Sequence, residues 1–390
     1  MSRRVGIETS LAISEAVMQA RAEVISAYPI TPQTHIVEHL SELVANGELD
    51  AEFIPVESKH SAMSAAIGSA AAGARVYTAT AAQGLALMHE ILFITSSMRL
   101  PMVMTVANRA LSGPISIWND HSDIMAERDI GWIQLFVEDA QEAYEATIMA
   151  FKIAEDHRVL LPVIVNMDGF ILSHVIEPVI FHDQEKIDAF LPEYKPAQKL
   201  DPANPITMGP VGVPEVYMEA KKQGEQALLD SKAVVKEVYD AFNKAFDRSY
   251  DLVETNGKTD GETMFVTMGS LGETTWSAVE KLNDAGKDVG QIRLKLWRPF
   301  PVEEFKAAAK NAKRLIVIDR ALSPGSVSGP VAQELKSIYY GDAGAPEIVN
   351  VITGLGGRDV PVSDFEAMYE QAQAGKLADT YTIWGLNCNA

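Results

Sequence analysis

The chain has 390 residues, 47% of them hydrophobic, and a formal net charge of −20, which is enough chain for two or three domains with proper interiors. So acidic a balance argues against a nucleic-acid groove, which needs clustered Lys and Arg against phosphates, and against an anionic membrane surface. Its one cysteine, Cys388, excludes an internal disulfide framework, a cysteine-ligated zinc site and an iron–sulfur cluster held by this polypeptide alone.

The N-terminus, Met1-Ser2-Arg3-Arg4, runs into a short strand-like segment at Val5 without the apolar core of a signal peptide. No stretch reaches the roughly 18 apolar residues of a spanning helix, so a cytoplasmic protein is expected. Up to about Phe170, strand candidates at Ala22 to Ala27, Ala51 to Val56, Arg75 to Thr80, Met102 to Ala107, Gln134 to Val137 and Pro162 to Asn166 alternate with helix-length segments. Those segments are His35 to Ala45, His60 to Ala72, Leu85 to Met98 and Gln141 to Glu155. The alternation implies a doubly wound parallel sheet covered on both faces. The run Ser61 to Ala74, nearly all Ala, Ser and Gly, suits a helix that another backbone can approach closely.

From Ile176 to Pro214 the composition turns proline-rich and reads as an irregular connecting arm. Tyr217 to Tyr250 then reads as a long amphipathic helix with Leu228, Val235, Val238 and Phe242 on one side. A second α/β unit follows, with strands at Met264 to Thr267, Val289 to Leu296, Arg314 to Ile318 and Ile348 to Val351. Its helices are Thr275 to Ala285, Val302 to Lys310, Pro330 to Tyr340 and Phe365 to Gln373. The expected organisation is an α/β domain over 1–175, an arm and helix over 176–255, and a second α/β domain over 256–390.

Three residues stand at ends of strand candidates, where ligands of open α/β sheets gather. Thr31 sits in Tyr28-Pro29-Ile30-Thr31-Pro32, where two prolines restrict the backbone; it either presents its hydroxyl to a crevice or caps the next helix. Glu57, after Val56, is a carboxylate at the end of what reads as a buried strand, which is costly without a partner or a proton. It suits a hydrogen bond to a ring nitrogen of an aminopyrimidine, or simply an acid at a helix N-terminus. Arg109 could grip a small carboxylate with two prongs or make a structural salt bridge. The loop from Leu111 to Trp118 has the mixed character of an active-site wall. The adjacent Asp120-His121-Ser122-Asp123 point in different directions and do not form a triad.

Gly-x-Gly-x-x-Gly after a first strand, a Walker loop and His-Glu-x-x-His are all missing. Gly354-Leu355-Gly356-Gly357 reads as a turn, and Gly341-Asp342-Ala343-Gly344 as a loop rather than a magnesium–diphosphate site. No metal ligands are assigned.

Several blocks in register resemble the alpha subunit of the 2-oxoacid:ferredoxin oxidoreductases, most closely the pyruvate:ferredoxin oxidoreductase branch. They include Ala27 to Pro32, Val56-Glu57-Ser58, Gln83 to Met88, Asn108 to Pro114, Asn119 to Asp123, Asp168 to His174, Trp297 to Pro301, Ile318-Asp319-Arg320 and Gly354 to Asp359. The resemblance implies a thiamine-diphosphate-binding pyrimidine module followed by a transketolase C-terminal-like α/β domain. Glu57 would contact the aminopyrimidine, with Pro29 and Thr31 also at the cofactor; Thr31 and Arg109 would bind the 2-oxoacid; Ile115 and Ile117 would line a pocket for its methyl group. The implied reaction takes pyruvate, CoA and oxidised ferredoxin to acetyl-CoA, carbon dioxide and reduced ferredoxin, with the cofactor as electron sink. The magnesium–diphosphate motif and the [4Fe-4S] cysteines, missing here, would lie in beta and delta-type partners, with a gamma-type subunit completing the complex. The sister reading is a branched-chain 2-oxoisovalerate enzyme with a wider pocket; a 2-oxoglutarate enzyme is disfavoured, because the loop after Arg109 supplies no second cation for a distal carboxylate. A nicotinamide dehydrogenase and a scaffold subunit without catalytic residues are the readings from other classes.

Overall fold

The computed structural model describes residues 3–387, so Cys388 lies outside the described residues. The first part of the chain forms β1 (Arg3–Glu8), α1 (Thr9–Gln19), β2 (Val24–Ala27), α2 (Thr34–Ala45), β3 (Glu52–Pro55), α3 (Lys59–Ala71), β4 (Val76–Thr80) and α4 (Ala82–Ser97). It continues with β5 (Val103–Asn108), α5 (Ser122–Ala126), β6 (Ile133–Phe136), α6 (Ala140–Ala154), β7 (Val163–Asp168), β8 (Ile176–Phe181), α7 (Gln184–Phe190) and α8 (Pro214–Phe246). The remainder forms β9 (Val253–Gly257), β10 (Thr263–Thr267), α9 (Leu271–Asp284), β11 (Val289–Leu294), β12 (Leu296–Arg298), α10 (Val302–Ala308), β13 (Arg314–Asp319), α11 (Pro330–Ile338), β14 (Glu347–Ile352), α12 (Val362–Gln373) and β15 (Thr382–Ile383).

Two sheets carry the fold. The first has the order β12-β6-β7-β5-β4-β2-β3 and is parallel except for β12. Its central strands are buried along their whole length, as a sheet covered on both faces requires. Because β3 lies on one side of β2 and β4 on the other, the winding reverses between β2 and β4, and a crevice opens there at the carboxyl ends. The second sheet runs β15-β14-β13-β10-β11-β9, with β9 antiparallel, and reverses between β10 and β13.

Local chemistry places the helices. Ser58 caps α3, its Oγ accepting from the Ser61 amide at 3.1 Å, and Asp139 caps α6 by accepting from the Glu142 amide at 2.7 Å. The small residues of α3 do permit close packing: Ala62, Ala66, Ala70 and Ala71 are buried against the sheet and α4. Helix α8 starts with Pro214 at its first turn and ends at Asp247 in the left-handed region. Its buried positions begin at Ala227 and include Val235, Val238 and Phe242 against α6; residues 214–223 are exposed. Among the described residues no helix is long and apolar enough to cross a membrane.

Three details differ from the sequence expectations. Residues 176–190 are not irregular: β8 pairs antiparallel with β1, from Arg3↔Phe181 to Glu8↔Ile176, and α7 follows, because Val179, Phe181, Ile187 and Phe190 bury against the first core. The single strand expected over Val289 to Leu296 divides at Lys295, and β12 crosses to the first sheet, where Leu296 pairs with Leu135. Strand β3 is the sheet's edge rather than a buried strand, with Glu52 and Pro55 exposed.

Candidate functional site at the carboxyl ends of the first sheet

Thr31 follows β2 at the point where the winding reverses. It does not cap α2: the residue before that helix is Gln33, and no side chain caps the turn. Thr31 and the neighbouring Pro29 are exposed, and the Thr31 carbonyl accepts from Arg109 Nη1 at 3.0 Å.

Arg109 stands one residue beyond β5. Its Nε donates to the Ser116 carbonyl at 2.7 Å, so the guanidinium ties the Thr31 turn to the 111–118 loop. Only 6% of the residue is exposed. Burial pushes its pKa down, and the Asp123 carboxylate partly offsets that. Among the described residues its guanidinium makes no salt bridge, the structural alternative for this arginine. Asp123 instead accepts from the Arg109 amide and the Ala82 amide, both at 3.0 Å, and from Asn108 Nδ2 at 3.1 Å, binding the ends of β4 and β5 together from beneath. Burial raises the Asp123 carboxyl to about 7, against those three bonds.

Glu57 follows the edge strand β3, whose Pro55 lies beside Ala27 of β2. Its carboxylate is exposed and accepts from Ser61 Oγ at 2.5 Å, a bond that holds its pKa below the ordinary carboxylate value. The dry, costly carboxylate expected from a buried strand is therefore corrected: an edge strand leaves Glu57 open to water on this chain. Its bond is to Ser61, and none joins it to Thr31 or Arg109.

Ile115 and Ile117 are 77% and 41% exposed, beside a Trp118 that is 52% exposed. Trp118 closes one wall of a cavity of about 350 Å³ shared with Leu355, Gly356, Gly357 and Arg358. A cavity of about 420 Å³ lies elsewhere, between α6, the 191–195 segment and α8; it contains none of these residues and has no place in the site. Gly357 has φ of +79°, and a β-carbon there would come within 2.5 Å of Trp118 Cβ, so glycine is needed for the approach. The turn expected over 354–357 is present, and Gly356 donates to Asp120 Oδ2 at 3.1 Å.

Within Asp120-His121-Ser122-Asp123 the side chains of Asp120 and Ser122 meet each other, contrary to the expectation that all four point apart, while His121 and Asp123 turn to partners elsewhere and no triad forms among the four. Asp120 accepts from Ser122 Oγ at 2.5 Å, while His121 Nε2 meets Asp168 Oδ1 at 2.7 Å. Asp168, at the end of β7, also receives the Ser270 amide at 2.9 Å and Arg320 Nη1 at 3.0 Å. Burial alone would raise its pKa, but His121 and Arg320 hold it well below the carboxylate range. Ser270 follows β10 and Arg320 follows β13, so this carboxylate fills the place where the second sheet's winding reverses. Sequence reasoning gave Asp123 and Asp168 no role, because their partners lie 14 to 152 positions away.

A thiamine-type group fits this edge as half of a site. Thr80 Oγ1 and Gln83 Nε2, at the end of β4, are buried without a hydrogen-bond partner among the described residues, and Glu57 offers an outward carboxylate.

Comparison with known proteins gives the family and the fold. Residues 15–240 match the family "Pyruvate flavodoxin/ferredoxin oxidoreductase, thiamine diP-bdg", and residues 261–365 match "Pyruvate:ferredoxin oxidoreductase core domain II". The chain is 50% identical over 376 residues to the pyruvate synthase subunit PorA of Methanocaldococcus jannaschii, covering 96% of this chain and 95% of the relative. It is 44% identical over 377 residues to the ketoisovalerate oxidoreductase subunit VorA of Pyrococcus abyssi, covering 95% of each. The fold is shared with a 2-oxoglutarate:ferredoxin oxidoreductase from Magnetococcus marinus, at 18% identity and a TM-score of 0.67 over 96% of this chain and 65% of that one. A split-gene transketolase also shares it, at 13% identity and a TM-score of 0.54, over 95% of this chain and 100% of that one. The doubly wound α/β architecture with a second α/β part is thus the fold of this group.

Proposed function

Since the chain belongs to the pyruvate flavodoxin/ferredoxin oxidoreductase family, we propose that it is the alpha-type subunit of a pyruvate synthase, working at the β2/β4 crevice of its first sheet. The reaction joins pyruvate, CoA and oxidised ferredoxin to acetyl-CoA, carbon dioxide and reduced ferredoxin. The 44% identity of the ketoisovalerate relative gives the branched-chain reading no preference over the 50% pyruvate relative.

The observation that carries the proposal is the direct link between Arg109 and the Thr31 turn at the reversal point, with Glu57 on the neighbouring strand end. Bound thiamine diphosphate supplies the nucleophile and the electron sink for decarboxylation. Glu57 holds or releases the proton at a ring nitrogen, a task that needs the cover of another subunit, because water now reaches its carboxylate. The Thr31 hydroxyl and Nη2 of Arg109, which has no hydrogen-bond partner among the described residues, orient the carboxylate and carbonyl of the 2-oxoacid, and Ile115 and Ile117 meet its methyl group. Pro29 fixes the turn at the cofactor's side. Beta, gamma and delta-type subunits bring the magnesium–diphosphate site, the iron–sulfur clusters and the contact with ferredoxin. A cytoplasmic location and the division at residues 175 and 255 belong to the same proposal.

The test is co-purification from the native source, with an iron assay and 2-oxoacid-dependent dye reduction on pyruvate, 2-oxoisovalerate and 2-oxoglutarate. Iron-bearing partners and a preference for pyruvate are expected. A monomeric, iron-free preparation, or a preference for either other acid, overturns it.

A further inference from the structure

Outside the catalytic edge, three chain segments bring two imidazoles and a carboxylate to one place. Glu8 closes β1 and precedes α1, His35 is the second residue of α2, and His174 lies in the turn before β8. One ligand-type atom from each lies within 4.8 Å of those of the other two. His35 Nδ1 already meets Glu8 Oε1 at 2.6 Å, and the His35 and His174 rings lie 4.6 Å apart.

We propose that Glu8, His35 and His174 form a binding site for a divalent first-row transition ion of the Zn²⁺ class. Bonds of about 2.0–2.2 Å place the ligand atoms of one ion no more than about 4.4 Å apart, so small side-chain rotations close the set. Two imidazoles with one carboxylate suit Zn²⁺; Mg²⁺ and Ca²⁺ call for oxygen ligands. Ser173 supplies the outer support. Its Oγ lies 2.7 Å from His174 Nδ1, so the tautomer with Nδ1–H donating to Ser173 leaves Nε2 for the ion. Ser173 itself is held by the Phe170 amide, which donates to its Oγ at 2.8 Å, and by Ser10 Oγ, which donates to its carbonyl at 2.6 Å. The site is open to solvent through His35, whose side chain is 41% exposed against 18% for Glu8, so an ion can enter and keep a water as a further ligand.

The ion would act as a clamp. The His174 ring lies 4.6 Å from the Phe170 ring, and Phe170 lies 4.7 Å from Trp118 at the end of the 111–118 loop. Binding at Glu8, His35 and His174 would therefore steady the aromatic stack on which that loop rests, and would join it to α2 just beyond the Thr31 turn.

The experiment is a Zn²⁺ titration of the full chain, prepared without a histidine tag, in competition with a chromogenic chelator. Wild type is expected to bind one ion with micromolar or tighter affinity. His35→Gln and His174→Gln are each expected to abolish that site, and Ser173→Ala to weaken it about tenfold. His39→Gln is the control, since His39 has its own carboxylate neighbours, Glu15 and Glu42, and should retain the site. Glu8→Gln replaces either histidine variant whose circular dichroism departs from wild type. A wild-type chain without a micromolar site, or binding that survives either histidine substitution, overturns the proposal.

Discussion

Gly169 lies against Pro32 so closely that a β-carbon on it would be 2.6 Å from Pro32 Cγ and 2.5 Å from the Asn108 carbonyl oxygen. The end of β7, the Thr31 turn and the end of β5 are thereby packed on a residue that has no side chain. Gly169→Ala must push Pro32 or the Asn108 backbone aside, at a cost of about 1–3 kcal/mol. Because Arg109 follows Asn108 and holds Thr31, the displacement should reach the substrate-binding groups. Chemical denaturation should show the loss of stability, and steady-state kinetics a raised KM for pyruvate.

Glu57→Gln removes the proton-exchanging group while keeping its size. The side chain is exposed, and among the described residues the one other side chain it bonds is Ser61, so folding and assembly should be unchanged. Turnover should fall by about 10²-fold or more. Dye reduction by the assembled complex measures this; a variant with wild-type turnover would remove Glu57 from the proposed chemistry.

Arg109→Ala deletes two backbone anchors together with the cation, whereas Arg109→Lys keeps the charge but cannot reach both the Thr31 and Ser116 carbonyls. KM for the 2-oxoacid should rise strongly in the first and less in the second. If kcat alone changes in both, the carboxylate-binding role is wrong.

Lys59 is buried, with its Nζ donating to the Ala79 carbonyl at 2.6 Å, and burial lowers its pKa from 10.5 to about 7. Between those values the unfolded chain binds more protons than the native one, so stability rises with pH from about 7 to about 10.5. Lys59→Met should flatten this rise and stabilise the protein near neutrality by on the order of a few kcal/mol. Urea midpoints measured across that range are the check.

Asp168→Asn leaves Arg320 and His121 facing a neutral amide in a dry interior. Loss of one partner from such a group costs about 3–5 kcal/mol. Since the native carboxyl is held below its unfolded value, wild type should lose this contribution as pH falls below about 4, and the variant should lack that part of its acid sensitivity. Thermal melts at pH 7 and pH 3 separate the two.

Much of this was legible in the residues. Strands such as Val163–Asp168 open on an apolar run, Val163-Ile164-Val165, and their turn signals stand at the right places, so the alternation of elements gave the doubly wound sheets directly. Thr31 and Arg109 could be placed at strand ends on the same grounds. Which strand lay at the edge was not legible, because apolar content looks alike in β3 and in the interior strands, and so Glu57 was expected to be dry. The β1/β8 pair was missed because it joins positions more than 160 apart, and neither strand alternates cleanly. The roles of Asp123 and Asp168 depend on which elements meet, which no local pattern encodes.

Strand β12 enters the first sheet from the far half of the chain, covering the outer side of β6, while Arg293 and Lys295 reach Glu142 of α6 at 2.6 and 2.7 Å. A fragment ending near residue 255 would present β6 with its peptide groups bare, a template for pairing with other copies, and would strand a buried acid without its cations. Cutting the polypeptide between its two sheets should therefore yield an insoluble piece rather than a working half, and the two segments should regain solubility only when expressed together.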